Sequence, residues 1–583
     1  MILSLKLLIL LIIMSSFNAL KKLTNKRTIV WIRNDQRLID NPILAEAVKL
    51  KEPTILLYCF DPRHYGNTDE YKFKKCGVYR SKFLVESIKD LRKNLKNINA
   101  SLLVAMEKPE IIIPKLMKND LESTILVQHE SAYEEYEIEK NVHEKILEKG
   151  NGILKTFRGN NLYHKDDLPY ADDLNDMGDV YTPFKNKLEK FVNIREIMPT
   201  PKKNELNCIH EDILKEEGII NLNSCSYNLL PNEEMLGFDK GSFENAALSQ
   251  SQGVMLFEGG ESAALKRIQT WMWDNDKLKE YFEIRNGMLG EGYSTKLSPY
   301  LGLGNISPKY IRNECKRYEN IREIENKSTY WVVWELTCRD YFHYHMEKYG
   351  KKAFYRNGMK NIKRPWASDK GNIMLDRWVS GTTGMPLVDA NMRELAATGW
   401  MSNRGRQNVA SYLALDMCID WRAGAEWFES MLLDHDVYSN YGNWNAMAGL
   451  TGGRVNRFNI IKQSKDYDPD GEYIKKWCPE LKDIPVPLCF EPHKMSRGDQ
   501  ERFNCIVGGN DGNYPAPMKL GMPYTGPKKI DNGNNNNNNN SGNGGSNKGK
   551  NKNRNNQKMK GNSNNNHNNN KKTSNDKIDW YVN

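Results

Sequence analysis

Gly399-Trp400-Met401-Ser402-Asn403-Arg404-Gly405-Arg406-Gln407 opens a stretch that continues through Asp420-Trp421-Arg422. It closes on Asp434-His435-Asp436, Asn440 and Trp444. Val409, Leu413, Met417 and Trp421 recur near a three-to-four spacing, so most of Gln407 to Leu433 reads as helix. A helical core accounts for those apolar residues. It does not account for Arg404, Arg406, Asp434, Asp436 and Asn440, which crowd its two ends. Polar groups gathered at the ends of buried helices point to a polar ligand held there. Ordinary caps and surface ion pairs are the plainer alternative.

Helical patterns also dominate upstream, from Glu261 onward. Ala263 to Trp273 has helical spacing, and Trp331 to Met346 forms a further helix with Glu335 and Arg339 on one face at i, i+4. Between them lie Tyr281 and the run Tyr293-Ser294-Thr295-Lys296-Leu297-Ser298-Pro299. Gly292 permits a tight turn there, and hydroxyls precede a helix. Backbone N–H groups and Lys296 at such a helix start suit a phosphate; a simple N-cap is the alternative.

Further upstream the pattern changes. Thr28 to Ile32, Thr54 to Phe60, Ser101 to Ala105, Thr124 to Gln128 and Ile153 to Phe157 are short apolar runs. Helical patterns at Tyr79 to Leu95, Glu110 to Met117 and Tyr133 to Leu147 separate them. Strand alternating with helix predicts an α/β domain with a parallel sheet covered on both faces. No GxGxxG follows the first strand, so a dinucleotide fingerprint is absent. Glu130 falls at the end of a predicted parallel strand, where ligands bind in open α/β sheets. It is either a ligand contact or an exposed loop carboxylate.

Five segments follow from this reading: a hydrophobic leader over 1–26, an α/β domain over 27–200, a polar connector over 201–258, an all-helical domain over 259–500, and a C-terminal extension over 501–583. The leader is too short for a confident membrane span and lacks the basic start of a signal peptide. An intracellular protein, nuclear or in an organelle, is expected. The Asn/Lys-rich tail beyond Asn532 has the composition of a disordered segment. It also carries most of the net charge of +10: beyond Pro527 eleven Lys and Arg face three Asp. The folded part is therefore nearly neutral, and the basic average says little about nucleic acid binding by the core. Ten scattered cysteines without CxxC or zinc-ligand spacing point to reduced thiols and no metal site.

Several motifs, in order, resemble the photolyase and cryptochrome superfamily. Asn403-Arg404-Gly405-Arg406-Gln407 and Ser439-Asn440-Tyr441-Gly442-Asn443-Trp444 are most similar to its cryptochrome-DASH branch. Val30 to Asp35 with Arg37, Asp40 and Asn41 is similar to the superfamily's first strand and loop. The resemblance runs from about Thr28 to about Pro487. It implies an α/β antenna domain followed by an all-helical domain holding FAD. Tyr281, Ser294, Thr295, Lys296, Leu297, Ser298, Arg406, Asp434, Asp436 and Asn440 match its FAD-binding positions. Asn440 matches a carboxamide facing flavin N5; a neutral amide tolerates reduced, anionic flavin where a carboxylate would repel it. Trp444, Trp421 and Trp366 match an electron-transfer chain running outward to solvent, although core packing is the ordinary role of each indole alone. Trp366 stands farther from Trp378 than in relatives.

The resemblance further implies a folate antenna, 5,10-methenyltetrahydrofolate, near Glu130. It implies light-driven splitting of cyclobutane pyrimidine dimers in single-stranded DNA by a monomer. Glu335, Asn403 and Gln407 would contact the extruded dimer, and Arg339 and Arg404 would clamp DNA phosphates. Two positions depart from the pattern: Cys338 and Ala446 stand where relatives place aromatics that pack on the dimer. Such stacking contributes roughly 1–3 kcal/mol per base, so losing both could weaken binding about 30-fold to 10⁴-fold. A blue-light receptor without repair activity is therefore the main rival. A light-insensitive nucleic-acid binder with a structural flavin, resting on the basic tail, is a third reading.

Overall fold

The computed structural model describes residues 25–218, 225–368, 372–453 and 455–521. The expected leader, apart from Asn25 and Lys26, and the Asn-rich tail lie outside the described residues.

Six strands form one sheet in the order β5-β4-β1-β2-β3-β6. They are β1 (Lys26–Ile32), β2 (Thr54–Cys59), β3 (Leu102–Ala105), β4 (Glu122–Gln128), β5 (Gly152–Phe157) and β6 (Cys225–Ser226). The first five are parallel, with Val30 opposite both Leu56 and Leu126. Ile29 and Trp31 point into one core, shared with α3 (Pro109–Leu116) and α4 (Tyr133–Lys149). Val30 and Ile32 point into the other, shared with α1 (Pro42–Leu50) and α2 (Val78–Asn97). Apolar residues on both sides of β1 are what a sheet buried on both faces demands. The second core runs on without a break into the helical domain.

The polar connector contributes elements of its own. Its β6 pairs antiparallel with β3, and its helix Ser242–Gln250 packs on α2 and on α6 (Pro386–Thr398). Its high polarity hid both elements, because β6 is only two residues long.

The helical domain is built around α5 (Lys327–Tyr349), α7 (Asn403–Ser411), α8 (Trp421–Met431) and α9 (Val437–Met447). Most of Gln407 to Leu433 is helical, as the sequence predicts, but the run is broken in the middle. After α7 a π turn covers Tyr412–Asp416, and Cys418 takes a left-handed φ of 55°. Asp420 then caps α8 by accepting from the Arg422 N–H. An apolar period survives such a break, so periodicity alone does not reveal it. Packing also continues past residue 500: Cys505 and Tyr514 are buried, and the Tyr514 hydroxyl donates to Asp389 Oδ2 at 2.8 Å. The C-terminal extension therefore begins later than the sequence suggested.

Among the described residues no helix is long and apolar enough to cross a membrane. No cluster of three His, Cys, Asp or Glu there could hold a metal ion. All ten cysteines are free.

Candidate functional site

The polar ends of the helical core do meet. Asp434, at the turn into α9, accepts two bonds from Arg406 Nη2, at 3.0 and 2.8 Å, and one from Ser298 Oγ at 2.8 Å. This ties α7, the turn before α9 and the hydroxyl loop to one point. The loop itself is buried from Ser294 to Ser298. Arg267, which the sequence reading passed over, donates to the carbonyls of Glu291, Ser294 and Thr295. Lys296 is 3% exposed and adopts a φ of 52°. Its ammonium donates to Ser294 Oγ at 3.3 Å. Burial, then Arg267, pulls its pKa down to about 7, against Glu394 and Glu291. A buried ammonium in that condition suits an anionic ligand group.

Asn440 lines a small cavity with Arg406, Asp434, Asp436 and Ser439. Its Nδ2 donates to Ala425 O at 3.0 Å, whereas its buried Oδ1 accepts nothing from the described residues. Asn403 Oδ1 is likewise buried without a donor among them. The unanswered Asn440 acceptor beside the Arg406–Asp434 pair, with the buried Lys296 ammonium and Asn403 Oδ1 in the same domain, fits a large polar cofactor with N–H and phosphate groups. The Tyr281 hydroxyl donates to Glu335 Oε2 at 2.8 Å. Gln407 accepts from Arg404 Nη1 at 2.6 Å, and Arg404 Nη2 also reaches Asn286 Oδ1 at 2.9 Å. Arg404 lies over the Tyr467 ring.

Arg339 needs correcting as a phosphate clamp. It is buried, donates to Asn160 O and Leu301 O, and pairs with Asp436 at 3.3 Å. Its charge is used inside the protein, where the helical domain meets the sheet. Asp436 caps α9 through the Ser439 N–H. Although burial alone would raise its pKa, His343 and Arg339 hold it below the usual carboxylate range.

Trp444 and Trp421 are fully buried and Trp366 is half-buried. Trp444 crosses Trp378 at 6.3 Å and Phe428 at 5.3 Å, both edge to face. A Cβ on Gly424 would collide with the Trp444 ring, so this glycine lets the indole lie against α8 one turn from Trp421. The segment carrying Trp366 is tied to theirs: Ala367 N–H donates to Cys418 O at 2.7 Å, three residues before Trp421, and Arg364 to Ala448 O, four after Trp444. Trp444 and Trp421 thus lie in the buried core and Trp366 nearer the surface. Gly424 had a legible position, three residues after Trp421, but its reason is a contact that sequence does not show.

A second cavity opens where the sheet meets the helices. Asn34, Tyr58 and Glu130 line it from the sheet side, and Arg339, Asp436 and Tyr438 from the helical side. Strand order reverses at β1, between β4 and β2, and Asn34 and Glu130 follow β1 and β4, so this is the topological switch point. Glu130 is 4% exposed, which removes the reading as a loop carboxylate. Its Oε2 accepts from the Tyr438 hydroxyl at 2.7 Å, and its Oε1 accepts nothing among the described residues. Burial raises its pKa to about 7, with Arg33 and Tyr438 opposing.

A six-stranded switch-point sheet joined to a helical domain is the arrangement matched by the photolyase-type flavoproteins. Residues 28–203 match the family model described as DNA photolyase, and residues 331–519 that described as FAD binding domain of DNA photolyase. A chloroplastic/mitochondrial cryptochrome DASH of Ostreococcus tauri is 42% identical over 85% of this chain and 90% of its own. The cryptochrome DASH of Danio rerio is 42% identical over the same shares. The crystal structure of a Synechocystis cryptochrome aligns with a TM-score of 0.77 at 40% identity, over 85% of this chain and 96% of that one. The chain belongs to the cryptochrome-DASH family.

Proposed function

We propose that this protein is a blue-light flavoprotein that splits cyclobutane pyrimidine dimers, with single-stranded DNA as its substrate. The observation that carries this reading is Asn440, whose amide orientation is fixed by Ala425 O and whose Oδ1 is left as an acceptor beside the Arg406–Asp434 pair. Bound there, FAD would supply the absorption of blue light and the exchange of one electron. The protein's own part is binding and electrostatics. Lys296 and the Ser294–Ser298 loop would hold the diphosphate, and the buried helices keep water out. Tyr281 fixes the Glu335 carboxyl, so that Glu335, Asn403 and Gln407 can meet an extruded dimer in a set geometry. Arg404, at the same wall, would meet its phosphate.

The unfolded chain keeps the Lys296 proton up to the ordinary lysine value of about 10.4. Between that value and about 7 the unfolded state binds more protons than the apoprotein, so apoprotein stability should rise with pH across this window. A diphosphate at Nζ reverses the effect by raising the pKa. Cofactor binding at about pH 8 should then take up close to one proton, and affinity should fall with further rise in pH. Calorimetry of FAD binding in two buffers of different ionisation enthalpy measures this uptake. Equal apparent enthalpies per buffer correction in wild type and K296M would show that Lys296 does not meet the diphosphate.

The cavity at the switch point is the proposed place of a folate antenna, with the Glu130 Oε1 acceptor meeting the pterin N–H groups. Relatives named chloroplastic/mitochondrial make an organelle a natural location for this chain too.

The second reading, a photoreceptor without repair, is favoured by Cys338, which is buried on α5 three residues after Glu335, and by Ala446 on α9. A repair assay separates the two. Reduced, FAD-loaded protein is mixed with dimer-containing oligothymidine, and recovery of thymine absorbance is followed under blue light and in the dark. Light-dependent recovery is expected. No recovery, with Trp-dependent flavin photoreduction intact, would leave the photoreceptor.

A further inference from the structure

We propose that Tyr441 is a second electron donor to Trp421, and that Glu429 accepts its phenolic proton. The proposal rests on the electron-transfer role read above for Trp444 and Trp421. It adds a branch at Trp421, alongside the exit through Trp366.

Three contacts carry it. The Tyr441 ring meets the Trp421 ring edge to face, with centroids 6.1 Å apart at 84°. The Tyr441 hydroxyl donates to Glu429 Oε2 at 2.9 Å. Glu429 in turn lines the cavity at the switch point, so a proton placed on it has a way out that does not cross the core. Tyr441 is itself buried, with Phe354 on its flank at 4.6 Å. A buried tyrosine that touches an indole in the chain and holds a carboxylate on its hydroxyl has both partners that oxidation of a phenol requires. A phenol that loses its proton as it loses an electron gives a neutral radical, and no charge is left in the low-dielectric core. An indole radical cation has no such relief where it is fully buried.

The step balances. With FAD bound to supply the light-driven oxidation, Trp444 would give up an electron and draw one from Trp421, leaving Trp421 one electron short. Tyr441 gives Trp421 that electron; its O–H bond breaks, and a new O–H bond forms on the Glu429 carboxylate. Neutral Trp421, neutral tyrosyl and a neutral carboxylic acid result.

The charged groups facing Glu429 come from three elements. Burial raises its pKa to about 7; Arg80 on α2, Lys75 just before it and the Tyr441 hydroxyl lower it, and Glu134 on α4 raises it. Only the ionised carboxylate can take the proton. The branch should therefore be closed in mild acid and open in mild base.

Flash photolysis of FAD-loaded, oxidised protein tests this, with W366F as background to close the other exit. A tyrosyl absorption should follow oxidised tryptophan, with a yield that rises about tenfold from about pH 6 to about pH 8. Y441F should remove the tyrosyl signal and lengthen the life of oxidised tryptophan. E429Q, which keeps shape and hydrogen bonding, should leave oxidised tryptophan intact and abolish the tyrosyl signal at every pH. Oxidised tryptophan without tyrosyl above pH 8 overturns the proposal, as does a tyrosyl signal that survives in Y441F. A signal that survives in E429Q removes Glu429 as the proton acceptor. If wild type forms no oxidised tryptophan at all, the indole chain itself fails and this branch falls with it.

Discussion

Replacing Trp444 with Phe should cut light-driven reduction of the bound flavin tenfold or more, a barrier increase above about 1.4 kcal/mol. Trp444 is fully buried, one turn after Asn440 on α9, and its ring lies against Gly424 on α8. Phe cannot replace its ease of oxidation, yet it keeps an aromatic ring against Phe428 and Trp378. The stability cost should be about 1–3 kcal/mol, from the smaller ring in a tight core. FAD content should be close to wild type, so the loss would lie in electron flow. Steady blue illumination with an external reductant, followed by flavin absorbance, measures it. A W444F protein that photoreduces at the wild-type rate would end the indole-chain reading and leave Trp444 as core.

Removing Arg406 should have the largest effect on cofactor retention. Asp434 is buried and receives both of its strongest bonds from Arg406 Nη2, with Ser298 Oγ as the third. In R406L the carboxylate stays buried beside a single hydroxyl. Breaking a buried pair from one side costs about 3–5 kcal/mol. The purified variant should be colourless and melt well below wild type. The double variant R406L/D434L removes both charges, so much of that stability should return while FAD does not. A single variant that purifies with full FAD would show that the pair is structural and stands apart from the cofactor.

The elements of the sheet were legible because β1, β2 and β4 are unbroken apolar runs, and their ends matched the observed strands within a residue or two. β6 was not, since two residues carry no period. The break at Cys418 was hidden for the opposite reason: the apolar spacing of Val409, Leu413 and Trp421 continues through it, while backbone conformation does not. At the site, motif residues such as Arg406 and Asp434 were readable as a set because their charges are out of place in a helical core. Arg267, Gly424 and Tyr441 were not. Each meets a neighbour twenty or more residues away, and such a contact leaves no mark on spacing. Arg339 was misread because a positive charge on a helix face looks alike whether it meets DNA or Asp436.

The cavity at the switch point has walls from both halves of the fold, with Glu130 reaching the hydroxyl of Tyr438 across it. A molecule that fills it is held only while sheet and helices stay together. It therefore acts as a thermodynamic clamp: each tenfold excess over its dissociation constant adds about 1.4 kcal/mol against their separation. A pigment bound there, as proposed, would make its own occupancy and the integrity of the fold one linked equilibrium, and losing it would loosen the junction of sheet and helices.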